Sequence, residues 1–234
     1  MTVGSIKENI NIERRVAITL ESAKNIIALG LNINLEKNYA NHLGINDKQF
    51  EELGVRFYDS SSEVIDNSRL LLKVNCPSDE EIKSLKEKTI LVGIFNPTKN
   101  ENKLKEILKK NVSIFSLELL PRISRAQSMD VLSSQSNLAG YRAVIESIYE
   151  FEKAVPMMMT AAGTVSAARV LIIGAGVAGL QAIATAKRLG AIVSATDVRA
   201  ASKEQVESLG GKFLMVEQKE SLETASGYAK ETSE

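Results

Sequence analysis

Residues 169–197 read RVLIIGAGVAGLQAIATAKRLGAIVSATD, and this stretch decides the fold. A strand is expected over Arg169–Ile173, whose apolar run VLII has the character of a strand buried on both faces, as in a parallel sheet. The glycines follow at once in Gly174-Ala175-Gly176-Val177-Ala178-Gly179. A helical pattern then runs over Val177–Leu189, a second strand over Ile192–Thr196, and Asp197 closes that strand. In such a strand–turn–helix unit Gly174 permits the tight turn and Gly176 lets the backbone approach a pyrophosphate. Gly179 lets the helix pack closely on the strand. The helix N-terminus offers unpaired N–H groups and the positive end of its dipole to phosphates. A carboxylate at the position of Asp197 accepts hydrogen bonds from a ribose 2′-OH and repels a 2′-phosphate, which favours NAD over NADP. Arg199 tempers this, since it could pair with a 2′-phosphate. A glycine turn that binds no nucleotide is the plain alternative, and composition alone does not reject it. Against it stands the common register of strand, three glycines, helix, strand and acid.

Working outward, the first half alternates short apolar runs with amphipathic ones. Strands are expected at Asn32–Leu35, Val55–Tyr58, Leu70–Val74, Ile90–Ile94 and Val112–Leu117. Helices are expected at Leu20–Leu29, Asp47–Leu53, Asp79–Lys86 and Asn102–Lys110. The last of these places Leu104, Ile107 and Leu108 on one face and lysines on the other. Strands alternating with helices indicate a doubly wound parallel sheet. Residues 118–144 are polar and rich in serine and read as a loop running into a helix. That helix is expected over Ser136–Glu152, with Leu138, Tyr141, Ile145 and Ile148 near helical spacing. The expected fold is therefore α/β, with two doubly wound, Rossmann-like parallel-sheet domains over residues 1–138 and 139–234. The boundary falls near Asn137–Gly140. The second sheet is expected to be incomplete, with two clear strands and a third hinted at Lys212–Val216. A half-built sheet leaves an unpaired apolar edge, so the chain reads as a fragment of a longer frame or one piece of a split protein.

Composition narrows the function. The 234 residues are 44% hydrophobic and 25% charged, ordinary values for a globular chain that buries a core. Lys+Arg and Asp+Glu are equal at 29 each, which argues against a polyanion-binding surface and against nucleic acid as a partner, with a local basic patch left open. The single cysteine, Cys76, forms no intramolecular disulfide and fits a reducing compartment. One histidine, His42, and one cysteine leave no zinc cluster. The N-terminus carries charge where a signal peptide has its apolar region. The membrane-like run Val170–Ala186 holds three glycines and is bracketed by Arg169 and Lys187, so a buried strand and helix explain it better than a membrane span.

The polar segment Arg122–Val144, RISRAQSMDVLSSQSNLAGYRAV, says more. It resembles the signature segment of the NAD(H)-binding component of proton-translocating nicotinamide nucleotide transhydrogenases. The likeness continues through PMMMTAAGTV, GAGVAGLQAIATAKRLGA, ATDVRAASKEQVESLGGKF and GYAKE at Gly227–Glu231. It is thinner upstream, at ERRVAIT (Glu13–Thr19) and LLKVNCP (Leu71–Pro77). The same blocks are similar to alanine dehydrogenase, which shares the architecture. The resemblance implies a flavodoxin/formate-dehydrogenase-like first domain and an NAD-binding second one. It implies that Arg122, Gln127, Asp130 and Ser133 approach the nicotinamide, with Gln127 orienting the ring towards the partner's NADP and Arg122 and Asp130 beside it at the transfer site. Val177 and the glycine loop would meet the pyrophosphate, and Asp197, Val198 and Arg199 the adenosine ribose. Gly227 and Tyr228 would belong to a loop that closes over bound nucleotide. A carboxamide and a guanidinium can hydrogen-bond the amide and phosphates of a dinucleotide, so the polar loop agrees in kind. Its alternative is a helix-capping loop with Asp130 and Ser133 as caps. The resemblance also implies NAD(H) as cofactor, an NADP(H)-binding domain and a membrane domain as partners on other chains or in a missing region, and a homodimer. The implied location is cytoplasmic and peripheral on the inner membrane.

Two chemistries fit these residues. Alanine dehydrogenase moves a proton with the hydride and needs a general acid/base and cations for a carboxylate. Arg15 and Lys73 match that relative's substrate-binding Arg and Lys, but Leu91–Lys99, LVGIFNPTK, holds no histidine where it keeps its catalytic one. Hydride transfer between two nicotinamides creates no alkoxide and needs no proton donor; juxtaposing the rings does most of the work. A site lacking a general base fits the relay better. An NAD-sensing domain without catalysis is the remaining class.

Overall fold

The computed structural model describes residues 1–121 and 123–215, and these fall into two compact units, Met1–Asp130 and Val131 onwards. In the first, six parallel strands alternate with five helices: β1 (Thr2–Ser5), α1 (Leu20–Ala28), β2 (Asn32–Glu36), α2 (Asp47–Glu51), β3 (Arg56–Tyr58), α3 (Ser61–Asp66), β4 (Leu70–Leu72), α4 (Asp79–Ser84), β5 (Ile90–Gly93), α5 (Glu101–Lys109) and β6 (Ser113–Ser116). The sheet order is β3-β2-β1-β4-β5-β6, so the chain winds outward first on one side of β1 and then on the other. Helices α1 to α4 are short, and each begins with a capping box: Thr19 with Ser22, Asn46 with Gln49, Ser60 with Glu63, Ser78 with Glu81. Each box satisfies backbone N–H groups that the first turn would otherwise leave open, and so fixes where the helix starts.

The expected strands and helices are present, most with slightly shorter ends, while β2 runs one residue further and α5 begins one residue earlier. Two further elements, β1 and α3, go beyond what the hydrophobic pattern announces. Strand β1 is only TVGS, yet it is the centre of the sheet, where Val3, Gly4 and Ser5 are buried. A Cβ on Gly4 would lie 2.4 Å from Ser68 Oγ, and Ser5 Oγ donates to the Leu72 carbonyl at 2.8 Å. Close packing and a hydroxyl partner hold this strand where β-propensity is weak. On α5, Leu104 and Ile107 face the core as expected, but Leu108 does not and is 57% exposed.

The second unit opens with α6 (Val131–Phe151), followed by an antiparallel hairpin, β7 (Met158–Thr160) and β8 (Gly163–Val165). Then come β9 (Arg169–Ile173), α7 (Val177–Arg188), β10 (Ile192–Thr196), α8 (Ser202–Ser208) and β11 (Lys212–Phe213). The last three strands form a parallel sheet of order β11-β10-β9, Rossmann-like and of three strands among the described residues. Among those residues β9 pairs only with β10, and its Ile173 is 81% exposed. The hairpin and α8 add to the elements expected from sequence. Helix α6 starts five residues before the expected Ser136, and the boundary expected near Asn137–Gly140 lies inside it.

The expected apolar stripe on α6 needs correcting. Leu138 and Tyr141 are 58% and 49% exposed; the buried positions are Gly140 and Val144. The helix meets α7 at Gly140, where an added Cβ would lie 2.0 Å from the Ala178 carbonyl oxygen. A gap between backbones, not a large side chain, makes the contact. Two effects oppose each other at this position. Alanine improves on glycine in a helix by about 1 kcal/mol, whereas overpacking against a backbone that cannot yield costs about 1–3 kcal/mol. Gly140→Ala should therefore lower the urea midpoint of the second unit; a raised midpoint would show that the helices separate freely.

Candidate functional site

The geometry of the glycine loop follows from its missing side chains. Gly174 takes φ +92°, a conformation that other residues avoid, and its N–H donates to the Thr196 carbonyl at 2.8 Å. A Cβ on Gly179 would fall 1.8 Å from the Gly174 carbonyl oxygen, so only glycine lets α7 start against the turn. On Gly176 a Cβ would meet a single atom within 4 Å, Arg199 Nη2 at 3.9 Å. That side of the loop is open to the close approach of a ligand. Gly176 is the N-cap of α7 and has no side chain to cap it, so the N–H groups of the first turn have no side-chain acceptor at the cap.

Asp197 follows β10 and is drawn onto this loop. Its Oδ2 accepts the Ala175 N–H at 2.7 Å, and its Oδ1 accepts the Arg199 backbone N–H at 2.8 Å. The Arg199 guanidinium donates through Nε to Oδ1 at 2.9 Å and through Nη2 to Oδ2 at 3.0 Å. Burial by itself raises the Asp197 carboxyl, but the hydrogen bonds from Arg199 and Ala175 outweigh it and hold the group at about 2. Gly174, Gly176, Gly179, Val177, Asp197, Val198 and Arg199 thus gather in the second unit around one turn. Val177 and Val198 are both exposed beside it.

The other expected residues lie elsewhere in the chain. Gln127 is exposed on a 3-10 turn, Ser124–Met129, in which Ala126 is the buried residue. The N–H of Asp130 donates to the Gln127 carbonyl at 3.2 Å, which closes the turn. Ser133 is half-buried in the first turn of α6. Arg122, Gly227 and Tyr228 lie outside the described residues.

A second polar cluster, most of it hidden from sequence reasoning, sits past the ends of the parallel neighbours β1 and β4, where the winding of the chain changes side. Lys73, 7% exposed just past β4, donates to Glu81 at 2.9 Å and lies 3.7 Å from Glu8. Glu8 accepts the Val74 N–H at 2.8 Å; burial raises its carboxyl, and Lys73 opposes that. Glu13 pairs with Arg15 at 2.6 Å and accepts from Asn75 at 3.3 Å. Hydrogen bonding to Arg15, ahead of the opposing effect of burial, brings the Glu13 carboxyl down to about 2. Only Arg15 and Lys73 stand out in the sequence. The carboxylates belong to ordinary-looking charged turns, and Glu81 doubles as the capping residue of α4, where its Oε2 accepts the Ser78 N–H. His42, far along the sequence, donates Nε2–H to the Arg14 carbonyl at 2.7 Å.

Buried polar atoms without a partner among the described residues include Ser116 Oγ, Glu118 Oε2 and Thr196 Oγ1. These stand at or just past the C-terminal ends of β6 and β10. In doubly wound sheets that is the ligand side. Among the described residues no three His, Cys, Asp or Glu side chains are grouped to hold a metal ion, and no helix is long and apolar enough to cross a membrane.

Parallel strands, a glycine turn into a helix and an acid closing the next strand define a Rossmann-like α/β protein. Residues 4–139 match the alanine dehydrogenase/PNT N-terminal domain and residues 143–231 the alanine dehydrogenase/PNT C-terminal domain, and the chain belongs to this family. It is 48% identical over 238 aligned residues to an NAD(P) transhydrogenase alpha-subunit chain of Rickettsia prowazekii, with 100% of this chain and 62% of that one covered. A crystal structure of transhydrogenase from Sinorhizobium meliloti superposes with a TM-score of 0.88 at 48% identity, over 93% of this chain and 62% of that one. The alanine dehydrogenase of Halomonas elongata is more distant, 28% identical over 200 residues, with 84% of this chain and 53% of that one covered. The chain thus spans about 62% of the length of these transhydrogenase relatives.

The hydrogen bonds on Asp197 have a consequence for stability. Its carboxyl is lower in the folded chain than in the unfolded one, so its contribution is complete above about pH 4 and is lost as pH falls through about 2. The lowering, on a side chain 6% exposed, corresponds to on the order of 2 kcal/mol. Asp197→Asn should flatten the fall in stability of the second unit over that window; an unchanged acid profile would mean that the pair contributes nothing.

Proposed function

We propose that this chain is the NAD(H)-binding part of an NAD(P) transhydrogenase. It passes hydride between NAD(H) and NADP(H) held on a partner domain, and the whole assembly couples this to proton translocation. The observation that carries the reading is the glycine loop closed by Asp197, found in a chain 48% identical to a transhydrogenase alpha subunit. NAD(H), when bound, supplies or accepts the hydride. The chain's own residues bind and orient it. Gly176 and the first turn of α7 take the pyrophosphate, while Asp197, with Val198 and Arg199 beside it, takes the adenosine ribose. Arg122, Gln127, Asp130 and Ser133 take the nicotinamide end, and Gly227 and Tyr228 close over it. The working division between domains is at residues 138 and 139. The partners are an NADP(H)-binding domain, a membrane domain and a second copy of the chain, which together hold it at the cytoplasmic face of the inner membrane.

The competing reading is an amino-acid dehydrogenase. Its support is Arg15 and Lys73, but both cations are engaged by carboxylates of the chain itself, Glu13 for one and Glu8 with Glu81 for the other. Leu91–Lys99 holds no histidine, and His42 is bonded to a backbone carbonyl. Direct transfer between nicotinamides has no use for a proton donor.

Two outcomes are expected. The chain should bind NADH more tightly than NADPH in fluorescence titrations, and Asp197→Asn should narrow the gap by on the order of 1–2 kcal/mol, the size of a charged hydrogen bond. Equal or tighter NADPH binding by the unaltered chain would end the NAD reading. In the assembly with an NADP(H)-binding partner, Gln127→Asn should slow hydride transfer on the order of 100-fold, because a misplacement of about 1 Å is that costly. Its dissociation constant for NADH should change far less. Stopped-flow rates at saturating nucleotide decide this. A normal rate with collapsed affinity would make Gln127 a binding residue only, and reduction of NAD by alanine would restore the dehydrogenase reading.

A further inference from the structure

The carboxylate of Asp197 has no acceptor position to spare. A carboxylate offers about four lone-pair sites. Here the Arg199 backbone N–H and Nε take Oδ1, while the Ala175 N–H and Arg199 Nη2 take Oδ2. Two of these donors are backbone groups fixed by the turn. The other two belong to one guanidinium on a side chain 22% exposed, which lies over the open side of Gly176. A ribose bound through Asp197 needs the acceptor positions that this guanidinium holds.

We propose that Arg199 is a displaceable placeholder for the nucleotide: it caps Asp197 until ribose hydroxyls take its place, and together the two residues set the affinity of the site and its choice at the ribose 2′ position. This rests on the reading of the loop as a nucleotide site. Two consequences follow from the geometry. Arg199 competes with the ribose, so part of the binding free energy goes into breaking the internal pair. Asp197 also does more than repel a 2′-phosphate, because it immobilises a nearby cation that a 2′-phosphate would seek. With Asp197 neutral, the guanidinium is no longer drawn to a carboxylate at this position and can form a bidentate pair with phosphate.

The test titrates NADH and NADPH into the full chain, using nucleotide fluorescence, for the wild type and for Arg199→Ala, Arg199→Gln, Asp197→Asn and the double variant Asp197→Asn/Arg199→Ala. Arg199→Gln keeps much of the stem without the charge, in case alanine disturbs the turn. Both single Arg199 variants should bind NADH about three- to tenfold tighter, the effect of removing a partly exposed ion pair. Asp197→Asn should bind NADPH on the order of tenfold tighter than wild type, and the double variant should lose that gain. If wild type binds NADH and the Arg199 variants bind it no more tightly, the placeholder falls while the nucleotide site stands. A gain in NADPH affinity that survives in the double variant also overturns the proposal. If wild type binds neither nucleotide, the reading of the loop falls and this inference with it.

Discussion

The first turn of α7 is a place where backbones meet with no side chain between them, and the second unit is arranged around it. Gly179 lets the helix start against the Gly174 carbonyl, and Gly140 lets α6 cross at Ala178. The N–H of Ala175, inside the same turn, reaches the Asp197 carboxylate. Strand β9, strand β10 and two helices are therefore fastened at one point. Any Cβ at Gly140 or Gly179 pushes against backbone, which cannot rotate away. The same bareness leaves Gly176 approachable from outside. The fold and the candidate site share a single requirement, the absence of side chains.

That requirement is also why the second unit is legible in the order of its residues. Apolar strand, spaced glycines, helix and acid carry their reasons in the residue types, and β9 and β10 have the expected bounds. Legibility fails where burial comes from neighbours distant in sequence. Strand β1 is a weak strand former held by Ser68 and Leu72, more than sixty positions away. On α6 the large apolar residues suggest a stripe, yet Gly140 and Val144 are the buried ones, because a close helix crossing favours the smallest side chain. The hairpin Met158–Val165 has no charge or turn signal that stands out from the segment around it. Of the candidate site, the glycine loop and Asp197 are plain from spacing. The saturation of Asp197 by Arg199 is not, since nothing in the order Asp-Val-Arg says whether the side chains fold back on each other.

The two polar centres are built alike. At each, a carboxylate just beyond a strand end accepts backbone N–H groups and faces a cation: Glu8 with Val74, Asn75 and Lys73, and Asp197 with Ala175 and Arg199. They differ in how closed the cation is. Lys73 is 7% exposed and has Glu8 and Glu81 within ion-pair distance, so it is tied into the interior of its unit. Arg199 reaches out over the loop and pairs with Asp197 from a more open position. A buried ion flanked on two sides is costly to expose, whereas a partly exposed pair is readily exchanged.

Strand β1 consists of residues 2–5 and pairs with β2 on one side and β4 on the other. The sheet of the first unit is thus two smaller sheets, β3-β2 and β4-β5-β6, joined through four residues. On the ribosome β2 and β3 follow β1 directly, but β4 begins only at Leu70. At a synthesis rate of about 5–20 residues per second, one edge of β1 waits several seconds for its neighbour. The middle of the sheet is made before either flank, and its seam closes only when the next strand has been translated.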